Sequence, residues 1–189
     1  MEMSRGFAVP QPVRLTVSDF EVLHHAGALV DHHHAQLIEG TIVAMSPQAR
    51  RHAFAKNELT YRLRRVLEAA GSPLTALSEV TVAIPPYSAP EPDMVLTRAP
   101  RGEGYVPVDS VALIAEVADS TVRYDLDAKQ RLYGAAGIPE YWVLDLPAGT
   151  LHRFCSPVAD GYERHDVLPL DGPLASTTLN FTIDGTGIL

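Results

Sequence analysis

The feature that most constrains the fold is an apolar segment with one acidic residue inside it. Residues 111–118 read Val-Ala-Leu-Ile-Ala-Glu-Val-Ala. Side chains alternate between the two faces of a strand, and here both faces are apolar, as in a central strand covered on both sides. The carboxylate of Glu116 is therefore expected to be paired or liganded, because burying an isolated charge costs several kcal/mol. The alternative is that Glu116 lies at an exposed end of the strand.

Hydrophobic periodicity and turn residues divide the rest of the chain into alternating helices and strands. Ser18, with Glu21 three residues later, predicts the start of a short helix. The other predicted elements are a hairpin at 36–45, a long helix at 50–70, strands at 77–84 and 93–97, a surface loop through 109, a helix at 125–136, a strand at 140–145, a hairpin formed by 151–154 and 162–167, and an edge strand at 179–183. We expect an arm over residues 1–14 and one α/β domain over 15–189, with a mixed sheet flanked by helices.

Composition narrows the class of protein. The net charge of -8 argues against a broadly basic nucleic-acid-binding surface. The one cysteine, Cys155, cannot form an internal disulfide and fits the reducing cytoplasm. No apolar run approaches the roughly 20 residues that span a bilayer, so no membrane partner is expected.

The helix predicted after the central strand carries a lysine on its apolar stripe. Lys129 shares this stripe with Leu126, Leu132 and Tyr133. Such a lysine either extends to solvent at the rim of the interface or pairs with buried carboxylates. Asp125, one turn earlier, is interpreted as an ion-pair partner, a helix cap or a group that orients the lysine.

A second carboxylate precedes the strand predicted at 93–97. Asp93 follows Pro92 and is followed by Met-Val-Leu. An aspartate here is often only a turn residue. Taken with Glu116, however, it could hold Mg²⁺, or Mn²⁺ in its place, because hard cations prefer oxygen ligands. A bound cation with Lys129 beside it suits phosphate-ester hydrolysis.

The long helix supplies the remaining candidates. His52 falls on its inward stripe, either as a hydrogen-bonded core histidine or as a supporting site residue. Arg51, Arg62 and Arg65 lie on other faces, where they form a solvated surface or contact phosphates. The His32–His34 run is interpreted as a loop, since adjacent histidines do not converge on one ion unaided.

Several of these residues occur in a familiar order. Pro92-Asp93-Met94-Val95, then residues 116–121, then Lys129, and then the run 137–145 with its Glu-Tyr-Trp strand resemble the Uma family of predicted restriction endonucleases. That family is a branch of the PD-(D/E)XK nuclease superfamily. The hairpin with Met45-Ser46-Pro47, followed by His52, fits the same family, and the resemblance covers roughly residues 15 to 170.

The resemblance implies a restriction-endonuclease-like fold with Asp93 and Glu116 as metal ligands. The superfamily usually has its lysine two residues after the second acid, where this chain has Ala118. In this family the lysine appears on the next helix, so the resemblance assigns that role to Lys129. His52 and Asp125 match supporting positions.

The sequence therefore favours a Mg²⁺-dependent endonuclease that acts on DNA. Cutting both strands of a duplex usually takes two sites, which predicts a homodimer. Two other functions stay open: a catalytically silent nucleic-acid- or protein-binding module that keeps the nuclease fold, and a hydrolase of smaller phosphate esters.

Overall fold

The fold was analysed in a computed structural model that describes residues 11–32, 34–45 and 47–189. Most of the predicted arm and His33 lie outside the described residues. In chain order the elements are α1 (Val17–His25), β1 (Ala35–Ile38), β2 (Thr41–Ala44), α2 (Arg50–Ala69), β3 (Thr75–Ser78), β4 (Val82–Ala83), β5 (Met94–Thr97), β6 (Val106–Pro107), a 3-10 turn (Val108–Ser110), β7 (Val111–Ala118), α3 (Val122–Tyr124), a π-helical turn (Asp125–Lys129), α4 (Gln130–Ala135), β8 (Glu140–Asp145), β9 (Thr150–Val158), β10 (Gly161–Pro169), β11 (Pro173–Ala175) and β12 (Thr182–Asp184).

Six strands form one central sheet in the order β10-β9-β8-β7-β5-β3. Its one parallel pair is β7 with β8, and the other neighbouring pairs are antiparallel. Parallel neighbours need a crossover connection, which α3, the π-helical turn and α4 provide. The predicted mixed sheet flanked by helices is confirmed.

Apolar layers cover both faces of the sheet. On one face, Leu59 and Leu63 of α2 belong to a buried cluster with Met94 and Trp142 of the sheet. On the other face, Tyr133 of α4 belongs to a second cluster, with sheet residues such as Ile114, Tyr141 and Val143. All positions of β7 are buried as a result, as its two apolar faces predicted. Glu116 is therefore not at an exposed strand end.

Close packing of the crossover helix depends on one glycine. A Cβ atom at Gly134 of α4 would lie 2.0 Å from the carbonyl oxygen of Gly161, at the start of β10. Only glycine allows this approach, which brings α4 down onto the β9–β10 hairpin. The helix also begins earlier than predicted, at Val122, and its Asp125–Lys129 section is π-helical.

The strand predicted at 77–84 is interrupted. Glu79 adopts a left-handed conformation with φ of 51°, so the chain turns after β3. The separate β4 then pairs with β6 outside the central sheet. β6 lies in the segment that was predicted to be a surface loop. The pattern of Val82 and Ile84 reflected burial but could not reveal this turn.

Two smaller predictions also differ from the structure. The cap of α1 is Thr16, whose hydroxyl accepts from the Asp19 amide, while Asp19 accepts from the Thr16 amide. Ser18 is already inside the helix. The edge strand predicted at 179–183 is β12, which pairs with β11 in a separate small sheet. In the described part of the chain, no helix has the length and apolarity needed to cross a membrane.

One fully buried carboxylate ties the C-terminal region to the sheet. Glu140, at the start of β8, accepts hydrogen bonds from the Trp142 indole, the Ser176 hydroxyl, the Thr177 amide, and both the amide and hydroxyl of Thr178. These donors are all neutral, so hydrogen bonds alone compensate the burial of the charge. The loop between β11 and β12 is thereby fixed against β8.

Replacing Glu140 with alanine should strongly destabilise the fold. The substitution leaves several hydrogen-bond donors without an acceptor around a small cavity. The free energy of unfolding is therefore expected to fall by at least about 2 kcal/mol. Urea denaturation followed by tryptophan fluorescence measures the change. Glu163→Ala, at an exposed glutamate of β10, is the matched control and should alter stability little. Equal effects of the two substitutions would contradict this role of Glu140.

Candidate active site

The candidate site lies where β5 begins and β7 ends. In the antiparallel register of these strands Met94 pairs with Ala115. Asp93 and Glu116 are the next residues on each strand, so the register itself brings the two carboxylates together. A cavity of about 380 Å³ opens here, and its lining includes Asp93, Glu116, Asp125, Lys129 and His52. The structure therefore brings these five predicted residues together.

The two strand carboxylates are each anchored through one oxygen. Asp93 Oδ2 accepts from the Val117 amide at 2.8 Å and lies 3.1 Å from His52 Nε2. Glu116 Oε1 accepts from Lys129 Nζ at 2.8 Å and from the Tyr133 hydroxyl at 2.9 Å. The other oxygens make only longer contacts: Glu116 Oε2 is 3.5 Å from the Asp93 amide, and Asp93 Oδ1 is 3.9 Å from Lys56 Nζ.

Lys129 lies inside this cluster and not at its rim. Its side chain is 3 % exposed, which excludes the solvent-extended alternative. Asp125 Oδ1 lies 3.5 Å from Lys129 Nζ, while Asp125 Oδ2 accepts from the Thr121 hydroxyl at 2.6 Å. Asp125 is thus an ion-pair partner within the helical segment and not its N-cap. Tyr133, one turn after Lys129, completes the ring of donors around Glu116.

The electrostatics follow from burial of two carboxylates with one ammonium. Burial raises the pKa of Glu116 to about 7, against the opposing effect of Lys129. Burial also raises the pKa of Asp125. Burial alone would lower the pKa of Lys129, but the charges of Glu116 and Asp125 outweigh it and raise this pKa. These opposing effects favour the protonated form of Lys129.

His52 adds a titratable group beside Asp93. Burial would lower the pKa of His52, but its hydrogen bond and charge interaction with Asp93 raise it overall. His52 Nδ1 is buried and has no hydrogen-bond partner among the residues that the structure describes. His52 is therefore a hydrogen-bonded, largely buried histidine whose side-chain partner in the described chain is a site carboxylate, that of Asp93.

Sequence reasoning missed a second lysine at the site. Lys56 of α2 is buried, and its Nζ donates to Gln48 Oε1 at 2.7 Å and contacts the Glu79 carboxylate. The hydrogen bond from Lys56 lowers the pKa of Glu79 and outweighs burial, which would raise it. Lys56 follows His52 by four residues, so helical spacing was an available signal. Glu79 gave no signal, because its position depends on the left-handed turn after β3.

The three candidate phosphate-binding arginines are dispersed. Arg51, at the site rim, donates to the Leu146 carbonyl and lies 3.8 Å from an Asp119 carboxylate oxygen. Arg62 and Arg65 instead line a separate shallow cavity on the outer side of α2. Arg62 is held there by Glu58 at 2.9 Å. Arg65 lies over the Tyr61 ring at 5.7 Å.

The carboxylate oxygens at the site are of the kind that a hard divalent cation takes as ligands. Within the two strand carboxylates, Asp93 Oδ1 and Glu116 Oε2 are the oxygens left without a short hydrogen bond, and both residues line the cavity. Mg²⁺ typically takes one or two protein carboxylates, with water and substrate oxygens as its other ligands. Nowhere in residues 11–32, 34–45 and 47–189 do three or more His, Cys, Asp or Glu side chains converge on a possible ion. His34 belongs to no such group, and its Nδ1 lies 2.8 Å from Glu91 Oε1.

Replacing Lys129 with methionine should make stability more dependent on pH. The variant leaves Glu116 and Asp125 buried without their cation, so the free energy of unfolding at pH 8 should fall by about 3 kcal/mol. The loss should shrink by pH 5.5, because carboxyl groups with raised pKa values take up protons in the folded state as the pH falls. Urea denaturation in EDTA at both pH values measures this.

Arg131→Met is the matched control for this prediction. Arg131 is on the same helical segment, and its ion pair with Asp127 is solvent-exposed. Exposed pairs contribute little, so stability should be nearly unchanged at either pH. A Lys129→Met loss that is the same at pH 5.5 and pH 8 would contradict the buried-charge interpretation.

Comparison with known proteins supports the family resemblance. The fold is similar to the crystal structure of a "putative nuclease belonging to DUF820" from Anabaena variabilis ATCC 29413, with a TM-score of 0.62 and 15 % identity. The similarity covers 82 % of this chain and 88 % of the other. The search of curated proteins found no match. Residues 18–184 match the Uma2 family, described as "Putative restriction endonuclease". The chain therefore belongs to the Uma2 family.

Proposed function

We propose that this protein is a metal-dependent endonuclease that hydrolyses DNA phosphodiester bonds in the Asp93–Glu116–Lys129 cavity. Membership of a restriction-endonuclease family supports a nuclease-like function. The observation that carries the finer proposal is the arrangement of charges. Two strand carboxylates each keep one oxygen free of short hydrogen bonds. The buried Lys129 donates to the other oxygen of Glu116, Oε1, at 2.8 Å.

The carboxylates of Asp93 and Glu116 are proposed to hold Mg²⁺, or Mn²⁺ in its place. Such an ion supplies positive charge for a phosphate oxygen and lowers the pKa of a water molecule. Burial disfavours the charged form of Glu116 and raises its pKa, and a bound cation would oppose this effect by favouring the charged form. His52 and the Val117 amide hold the Asp93 carboxylate in place through its other oxygen.

Lys129 is proposed to act as a hydrogen-bond donor and fixed positive charge. Its raised pKa keeps it protonated, so it is unsuited to removing a proton from water. In the hydrolysis, a water oxygen forms a new bond to phosphorus while a phosphorus–oxygen bond to one sugar breaks, and the departing oxygen gains a proton. The Lys129 ammonium would stabilise the negative charge that increases on the phosphate oxygens. Asp125 would position this ammonium through their ion pair, and Tyr133 would do so indirectly, by donating to the Glu116 oxygen that Lys129 also contacts.

DNA is the proposed substrate, and two copies of the site would be needed to cut both strands of a duplex. A homodimer would supply them. The strongly acidic chain makes the cation important here too. The cavity lining includes Glu79, Glu91 and Asp119 besides the three site carboxylates, and this negative charge would repel phosphate in the absence of a divalent cation.

Neutralising either carboxylate, or removing the lysine charge, should abolish cleavage. Asp93→Asn, Glu116→Gln and Lys129→Met should each slow nicking of supercoiled plasmid by at least about 100-fold, because each removes charge from the reacting centre. EDTA should abolish nicking by the wild type, and added Mg²⁺ or Mn²⁺ should restore it. Gel quantification of nicked and linear DNA measures the rates.

Glu163→Gln, outside the cavity, is the control for this assay and should nick at the wild-type rate. Thermal melting must show that each variant is folded. Nicking that survives all three substitutions, or that persists in EDTA, would contradict the proposed site. A folded wild type that cuts neither plasmid nor single-stranded DNA with Mg²⁺ would favour the binding-module alternative.

Metal affinity should depend on pH in the direction set by Glu116. Because its pKa is about 7 in the metal-free protein, protons compete with Mg²⁺ below that pH. We expect the Kd for Mg²⁺ to be nearly constant above pH 8 and to rise towards about tenfold per pH unit below pH 7. Isothermal titration calorimetry at pH 6, 7 and 8 measures it. Glu116→Gln, which cannot titrate, should bind weakly at every pH, and a wild-type Kd unchanged between pH 6 and 8 would contradict the assignment.

A further inference from the structure

An exposed row of aromatic and arginine side chains runs along the outer side of α2, away from the core. Phe54 is 74 % exposed and Tyr61 is 55 % exposed. Arg50 and Arg65 are exposed beside them. These four residues are spaced at four, seven and four positions, so they share one face of the helix. We name Arg50, Phe54, Tyr61 and Arg65 the α2 stripe.

The chemistry of the α2 stripe differs from that of the rest of the surface. The other large hydrophobic side chains exposed in the described part of the chain are aliphatic: Val13, Val22, Val30, Val158, Val167 and Leu189. The helix also carries six of the fifteen Lys and Arg residues and only two of the 23 Asp and Glu residues. An acidic protein thus concentrates positive charge next to its exposed rings.

Arg65 and Tyr61 are already arranged as a unit. The Arg65 guanidinium carbon lies 5.7 Å from the Tyr61 ring centre, which is within cation–π range. Among the described residues, no acidic side chain forms an ion pair with Arg65, whereas Arg62 is bound by Glu58. Arg65 therefore retains its charge for an external anion, and its planar group is held at the side of an aromatic ring.

We propose that the α2 stripe binds an unpaired segment of nucleic acid, with bases stacked on Phe54 and Tyr61 and phosphates against Arg50 and Arg65. Aromatic rings interleaved with cations are the usual platform for single strands, because every base has a stacking face. Seven residues of helix separate the rings by about 10 Å along the axis, so each ring can take a separate base.

Other occupants fit the α2 stripe less well. A duplex presents paired bases that are already stacked, so the rings would gain little from it. A second copy of this chain, related by a twofold axis, would bring the same positive patches face to face. An unpaired strand supplies both the negative charge and the flat apolar groups that the stripe lacks.

The position of the α2 stripe relates it to the candidate site. His52, which lines the site cavity, is in the same helical turn as Phe54 but on the opposite side of the helix. The diameter of a helix is about 10 Å, so a strand bound on the stripe would pass close to the cavity. The inference rests on the proposed nuclease function and extends it to a substrate class, DNA with unpaired bases.

Equilibrium binding in EDTA tests the inference without requiring cleavage. Fluorescence anisotropy of a labelled oligothymidylate of about twelve nucleotides gives the Kd of the full chain. Phe54→Ala and Tyr61→Ala should each raise this Kd about tenfold. Arg65→Ala should also raise it, with a smaller effect at high salt because a phosphate contact is lost. Binding to a blunt-ended duplex of two complementary strands, which has no unpaired bases, should be insensitive to Phe54→Ala.

Two variants outside the stripe serve as matched controls. Val30→Ala removes an apolar side chain that is 71 % exposed, and Arg101→Ala removes an exposed arginine. Both should leave the Kd within about twofold, because neither side chain contacts the strand. If Phe54→Ala and Tyr61→Ala bind the oligonucleotide like wild type, the inference is overturned. Phe54→Ala that keeps DNA affinity but loses a dimer in size-exclusion chromatography overturns it in favour of a second copy.

The binding experiment and the plasmid-nicking assay together separate this inference from the proposed function. Binding that depends on Phe54 and Tyr61 without any metal-dependent cleavage would refute only the proposed catalysis. Cleavage that requires Asp93 but is indifferent to both rings, together with unchanged binding, would refute only the role of the α2 stripe.

Discussion

The structure depends on a buried charge cluster that the central sheet alone would not tolerate. Glu116 lies in a strand that is apolar on both faces, and its burial is acceptable only because Lys129 and Tyr133 donate to it. Replacing such a buried pair with apolar residues is often neutral or stabilising. Stability therefore gives no sufficient reason for the cluster, and chemistry gives one. The raised pKa of Glu116 records the cost, which a bound divalent cation would relieve.

The backbone places these groups with little freedom. The β5–β7 register sets Asp93 beside Glu116, and the parallel β7–β8 pair requires a crossover helix over the same region. That helix contains a π-helical turn from Asp125 to Lys129. Such turns shift side chains relative to a regular helix and often occur at functional sites. Here the turn contains the lysine itself and Asp125, whose Oδ1 lies 3.5 Å from Lys129 Nζ, so the geometry of the turn determines where the ammonium lies.

Residues in regular elements were predictable from the sequence, and those placed by turns were not. Glu116 and Lys129 stood out because each interrupts an apolar pattern whose period fixes its direction. Lys56 was missed although it follows His52 by one helical turn and therefore lies on the same side of α2. Glu79 was unpredictable, since a left-handed residue ends β3 and no local pattern required that turn. Loop geometry and pairing of the C-terminal strands likewise depend on distant partners such as Glu140.

We propose that this acidic protein acts on a polyanion through two local features: a divalent cation at the cavity and positive charge along α2. Anomalous scattering from crystals grown with Mn²⁺ is the measurement that addresses the first of these. We expect one strong manganese peak between Asp93 and Glu116, and no peak there in Asp93→Asn. A manganese peak elsewhere with this cavity empty, or a peak that survives loss of the Asp93 charge, would contradict it.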